Sequence, residues 1–125
     1  MSEFGKYLRE IRTSRQPAIT QEMLGAAVGR TKMTISQFEQ GKTTPPRGDL
    51  LEKIIDALGT SDKEAKTLRF LAAAQRRAIP EDIYEYFFSS PVIYSTIKMA
   101  KETGADEATW AKFLSSMEDN NAASK

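Results

Sequence analysis

Lys32, Met33, Ser36 and Gln37 lie close together in the stretch RTKMTISQFEQGK, residues 30 to 42. Their ammonium, thioether, hydroxyl and amide groups are of the kinds that meet the edges of DNA bases. An amide bonds bidentately to adenine, and a methionine methyl touches the methyl of thymine, so A·T pairs are expected in any site they read. On a wheel of ~100° per residue, Ile35 and Phe38 fall together as a buried seam, flanked by Thr31 and Thr34. The opposite face carries Met33, Ser36, Gln37 and Gln40, with Lys32 at its edge. An ordinary solvated helix places Glu and Lys pairs there. This face is polar but almost uncharged.

The flanking elements must hold that face outward. Phe4, Tyr7, Leu8 and Ile11 stand at i, i+3, i+4, i+7 and predict a first amphipathic helix that ends before Pro17. Thr20 is a cap for a short second helix, TQEMLGAAVG, whose inward residues are Leu24, Ala27 and Val28 and which Gly29 stops. Thr31 caps the third helix, which closes at Gly41. The pair reads as a helix, a tight turn and another helix. KTTPPRG is a loop that frees Lys42 and Arg47 to point outward. A fourth helix from Asp49 buries Leu50, Leu51, Ile54, Ile55 and Leu58. Ser61 and Glu64 form a capping box for a fifth helix reaching to about Ala78. Pro80 and Pro91 stand where helices begin. The last helix, from about Asp106, has Trp110, Phe113, Leu114 and Met117 again at i, i+3, i+4, i+7. No strand alternation or internal repeat is visible.

Composition narrows the function. A chain of 125 residues, 40% hydrophobic, suffices for one domain with a helical extension. With no cysteine and no histidine, disulfides, the usual zinc sites and imidazole-based triads are excluded, and no metal site or cofactor is expected. No phosphate loop or nucleophile elbow supports an enzyme. There is no apolar run long enough to span a bilayer, and the charged start MSEFGKYLRE lacks a signal peptide's apolar core, so a cytoplasmic location is expected. The net charge of +1 hides an asymmetry. Residues 1 to 48 hold eight basic and four acidic residues, a balance of +4, and the remaining ten basic and thirteen acidic residues give −3.

FGKYLREIR, TQEMLGAAVG, TISQFEQGK and the PP…LLEKIIDALG run resemble, in order and spacing, the Cro/repressor-type (XRE-like) helix-turn-helix family over residues 2 to 59. The resemblance implies that the second helix of the pair enters the major groove while the first lies across the phosphate backbone. By position it assigns base reading to Lys32, Met33 and Gln37, with Ser36 on the same face. Gln21 and Thr31 match backbone contacts, Lys42, Thr43 and Thr44 match a loop that approaches phosphates, and Arg47 matches a minor-groove position. Arg12 and Glu39 match a family ion pair joining the first and third helices. Arg30 replaces a usually apolar residue and is either solvated or a further phosphate ligand. Gly25 replaces the usual alanine; Gly25→Ala should stabilise by up to ~1 kcal/mol, unless the helices approach too closely for a methyl, in which case the melting temperature falls.

The expected fold is all-α, a five-helix-type N-terminal helix-turn-helix domain of the lambda-repressor-like kind followed by a small helical extension. The domain is placed at 1–59, an extension for dimerisation or partner binding at 60–119, and a flexible tail at 120–125. Arg76 and Arg77, at a helix end, are expected to be solvated. Tyr84, Tyr86, Phe87, Phe88 and Tyr94 are expected in a core rather than a ligand pocket. The expected function is sequence-specific transcriptional regulation, as a repressor, by a homodimer on a palindromic operator. One short helix reads too few base pairs alone, and two half-sites ~34 Å apart follow. Trp110, Phe113, Leu114 and Met117 are the candidate dimer surface. The alternatives are an antitoxin that represses its own operon and binds a toxin through its C-terminal helices, and an adaptor that binds no DNA. A protein partner would be a toxin, an antirepressor or RNA polymerase.

Overall fold

Ser2 opens the first helix, α1 (Glu3–Ser14), by accepting a hydrogen bond from the Gly5 amide at 2.9 Å. The computed structural model describes residues 2–123, and among these all regular structure is helical. Thr20 caps α2 (Gln21–Ala27) through the Met23 amide at 3.0 Å, and Thr31 caps α3 (Lys32–Gln40) through the Thr34 amide at 3.2 Å. Gly41, at φ 72°, closes α3 in the left-handed conformation that glycine adopts without strain. α4 (Gly48–Ala57) follows the proline loop. α5 (Asp62–Arg76) begins with a complete Ser61–Glu64 capping box and ends at Arg77, itself left-handed at φ 56°.

The chain divides into two compact units, Met1–Tyr84 and Glu85–Lys125. In the first, α3 packs on α1 and α2, and α5 packs on α1 and α4. Phe4, Leu8, Leu24, Ile35, Ile54 and Leu68 meet in one buried cluster. The dividing point lies beyond the 59/60 boundary drawn from the glycine turn, because α5 contributes Ala65, Leu68 and Ala72 to the core that α1 and α4 share. Ala27, read as inward, is exposed, and Leu24 and Val28 carry the buried face of the second helix.

Pro80 leads only into a 3-10 turn (Glu81–Ile83) and a single-turn helix, α6 (Tyr84–Phe87). Neither buries a residue, and no packing supports a longer helix between the two prolines. In the second unit, Ser90 caps α7 (Pro91–Glu102), and Asp106 accepts from the Thr109 amide at 2.9 Å to start α8 (Glu107–Ala123). The Thr109 bonds hold the Asp106 carboxyl below its ordinary value. Residues 120–123 of the expected flexible tail are the last turn of α8, and residues 124 and 125 lie outside the described residues. Tyr84, Tyr86, Phe88 and Tyr94 are 52–75% exposed and form no core, contrary to expectation. No residue from 85 to 122 is buried.

Candidate nucleic-acid interface

The outward face of α3 is set by a turn of few residues. Val28 ends α2, Gly29 takes φ 72°, and the Arg30 amide returns to the Gly25 carbonyl at 2.7 Å before Thr31 caps α3. A Cβ on Gly29 would meet nothing, so its glycine is required by conformation alone. At Gly25 the requirement is space. A Cβ there would lie 2.9 Å from the Thr31 carbonyl carbon and 3.0 Å from the Arg30 oxygen, both backbone atoms that cannot swing aside. The two helices therefore approach too closely for a methyl, and the stabilising outcome considered for Gly25→Ala does not apply.

A second close approach was missed in the sequence. A Cβ on Gly5 would stand 2.6 Å from the Glu39 carbonyl carbon and 2.8 Å from the Phe38 oxygen, so α1 rests directly on the last turn of α3. Its only sequence signal is a glycine inside a strongly amphipathic helix, where it costs roughly 1 kcal/mol relative to alanine unless packing uses the space.

Beside that contact, Arg12 and Glu39 form a buried, bidentate ion pair. Arg12 Nε donates to Glu39 Oε2 at 2.7 Å and Nη2 to Oε1 at 2.9 Å. Arg12 Nη1 donates to the Ile19 carbonyl at 3.0 Å, and Gln21 Nε2 donates to Glu39 Oε1 at 3.1 Å. One carboxylate thus ties the end of α1, the start of α2 and the last turn of α3 together. Gln21 uses one amide hydrogen in this network and retains the other for a further acceptor.

With Ile35 and Phe38 buried behind it, α3 turns Lys32, Met33 and Gln40 fully outward and leaves Ser36 and Gln37 half-exposed. Met33 is 66% exposed, with its thioether open to solvent beside the polar groups of the helix. Gln40 Nε2 donates to Ser36 Oγ at 3.0 Å, so these two side chains form one polar surface. Thr31, Arg30, Lys42, Thr43, Thr44 and Arg47 are all exposed around this face. Arg30 lies in solvent with one bond to its neighbour, the Gly29 carbonyl, at 3.1 Å.

Loop 41–47 is held from below. Pro45 and Pro46 are buried, and Arg76 Nη1 donates to the Pro46 carbonyl at 3.0 Å. The Arg76 side chain is only 10% exposed and lies 3.8 Å from Glu81, whose Oε1 accepts from the Gly48 amide at 2.9 Å. Arg76 is therefore a clamp on the loop rather than a solvated helix-end cation, a role invisible in sequence because its acceptor is thirty residues away. Gln75 and Arg76 also line an open cleft with Lys42, Thr43, Thr44 and Arg47. The structure gathers Lys32, Met33, Ser36 and Gln37 on one surface with Thr31 and the loop residues beside it. Trp110, Phe113, Leu114 and Met117 belong to the other unit, where all four are exposed.

A family model described as a helix-turn-helix domain matches residues 3–68, from α1 into α5. The "Uncharacterized HTH-type transcriptional regulator RghRB" of Bacillus subtilis (strain 168) is 30% identical over 106 residues, which cover 85% of this chain and 72% of that protein. No solved structure matches. The chain belongs to the helix-turn-helix family of the XRE-like regulators. No helix among the described residues is long and apolar enough to cross a membrane.

Proposed function

We propose that this chain is a sequence-specific, DNA-binding transcriptional regulator of the cytoplasm, a repressor that occupies a palindromic operator as a homodimer. One observation carries the reading. The outward face of α3 presents an amide, a hydroxyl, a thioether and an ammonium, while the same helix is anchored by Ile35, Phe38 and the buried Glu39. Rigid support of this kind presents the side chains to base edges with no backbone-ordering cost on binding, leaving only their own rotamer freedom to be lost. α3 enters the major groove. Lys32, Met33, Ser36 and Gln37 meet the bases, while Gln21, Arg30, Thr31, Lys42, Thr43 and Thr44 contact phosphates and Arg47 reaches toward the minor groove.

Repression follows from occupancy of a promoter. Selection of bound duplexes from a random pool by the purified chain tests the reading. An inverted repeat whose half-sites contain A·T pairs and lie about one helical turn apart is expected. Recovery of duplexes with no shared sequence would overturn it.

A further inference from the structure

α4 breaks a rule that the helices around it keep. Ser2, Thr20, Thr31 and Ser61 cap α1, α2, α3 and α5, each hydroxyl accepting from a backbone amide of the first turn. The residue in that place before α4 is Arg47, which has no side-chain acceptor and makes no cap bond. A serine or aspartate there would serve the fold better. A local rule broken at one position and made good from elsewhere marks a position given over to another purpose.

The repair comes from the far end of α5 and the turn after it. Glu81 Oε1 accepts from the Gly48 amide at 2.9 Å and so supplies the missing cap. Arg76, the last residue of α5, donates from Nη1 to the Pro46 carbonyl at 3.0 Å, and its Nη2 lies 3.8 Å from the same Glu81 oxygen. These bonds fall on the two peptide units that flank Arg47. The Pro46 carbonyl belongs to the peptide before its Cα and the Gly48 amide to the peptide after it, so both backbone dihedrals are held, at φ −142° and ψ 169°. The side chain is left out of this arrangement. Arg47 is exposed and bonds to none of the described residues. It lines the open cleft beside Lys42, Thr43 and Thr44.

We infer that Arg76 and Glu81 are positioning residues for Arg47, holding its backbone so that its guanidinium is presented to the minor groove when α3 lies in the major groove. The inference rests on the DNA-binding reading proposed above. The helix-turn-helix model matches residues 3–68, and Arg76 and Glu81 lie beyond them, so the family match does not account for the pair. Arg76 itself does not reach the duplex. Its side chain is only 10% exposed, and it lines a hollow with the carboxylates of Asp49, Glu52, Glu81 and Asp82. Arg47 keeps its side chain free, and a backbone already held in the free protein adds no ordering cost on binding.

Charge and position predict opposite signs at Glu81. Removing an acidic residue beside a polyanion strengthens binding if net charge alone matters. Instead, Glu81→Ala in the full-length chain is expected to weaken binding to the selected operator roughly fivefold at fixed salt, because Arg47 is no longer aimed. Arg47→Ala should weaken the parent by a similar factor. In the Glu81→Ala background it should have almost no further effect, since residues that act as a unit are not additive. Gln37→Ala, on a separate element, should cost the same factor in both backgrounds.

The Glu81 side chain is 54% exposed, so the variant is expected to fold, and thermal unfolding checks this. Arg76→Met, which strips the bond from the Pro46 carbonyl, should reproduce the same pattern; if it does not fold, the Glu81 cycle decides alone. Operator binding by Glu81→Ala that equals or exceeds the parent's overturns the inference. So does an Arg47→Ala effect that is undiminished in the Glu81→Ala background, or absent from the parent. A Gln37→Ala effect that shrinks along with it also overturns the inference, because the whole domain has then loosened. A parent with no affinity for any duplex overturns the DNA-binding reading and this inference together. A parent that binds while the cycle is additive overturns this inference alone.

Discussion

Glycine and one ion pair set the position of α3 at the level of single residues. Gly25 is where α2 meets the backbone of Arg30 and Thr31, and Gly5 is where α1 meets that of Phe38 and Glu39. Gly25→Ala should lower the melting temperature, at a cost of about 1–3 kcal/mol typical of overpacking, measured by thermal unfolding; an unchanged or raised value would mean that the turn yields. Arg12→Met strands the Glu39 carboxylate in the interior with only Gln21 as a side-chain partner. Breaking one side of such a pair costs ~3–5 kcal/mol, whereas replacing both partners with apolar residues of similar volume recovers most of it. Denaturant unfolding of Arg12→Met and of Arg12→Met with Glu39→Leu should show this difference.

The helices themselves were largely legible in the sequence. Thr20, Thr31 and Ser61 cap α2, α3 and α5, and apolar spacing located the buried faces of α1 and α4, because both signals depend on residues within a turn or two. The outward face of α3 was legible for the same reason. Contacts between distant segments were not. α5 shares the core of α1, Gly5 rests on α3, Arg76 holds Pro46, and Arg15 donates to the Leu58 carbonyl at 2.8 Å. None of these leaves a local pattern.

Two further ion pairs join elements and make stability depend on pH. Arg15 bonds Glu64 at 2.8 Å, and Arg69 bonds Glu52 at 2.7 Å. Hydrogen bonds from Arg15, then from the Ser61 amide, hold the Glu64 carboxyl below its ordinary value of 4.5. The Arg69 bond lowers Glu52 in the same direction. A carboxylate lowered in the folded state stabilises fully above its unfolded pKa, and the contribution is lost as pH falls through the folded value. Denaturation midpoints should therefore decline on acidification below pH 4.5. Glu64→Gln should weaken the fold at neutral pH and flatten that decline; an acid profile identical to the parent's would remove Glu64 from the account.

For the whole molecule, the two units differ in surface chemistry. The first gathers Phe4, Leu8, Leu24, Ile35, Ile54 and Leu68 in a core and shows polar and basic groups around α3, while the second buries none of its aromatic and aliphatic side chains from 85 to 122. In the proposed complex Arg30 and Lys42 neutralise phosphates. Affinity for duplex should then fall steeply with salt, and Arg30→Ala or Lys42→Ala should each reduce the slope of log K against log salt by about 1 per half-site. A salt-independent affinity would favour an adaptor over a DNA-binding regulator.

The claim that the outer face of α3 reads bases is tested most directly at Gln37. The affinities of the parent and Gln37→Ala should be compared on the selected operator and on an unrelated duplex at one salt concentration. The substitution is expected to weaken operator binding by roughly 1–3 kcal/mol while leaving the unrelated duplex nearly unaffected. Equal losses on both duplexes, or none on either, would contradict it.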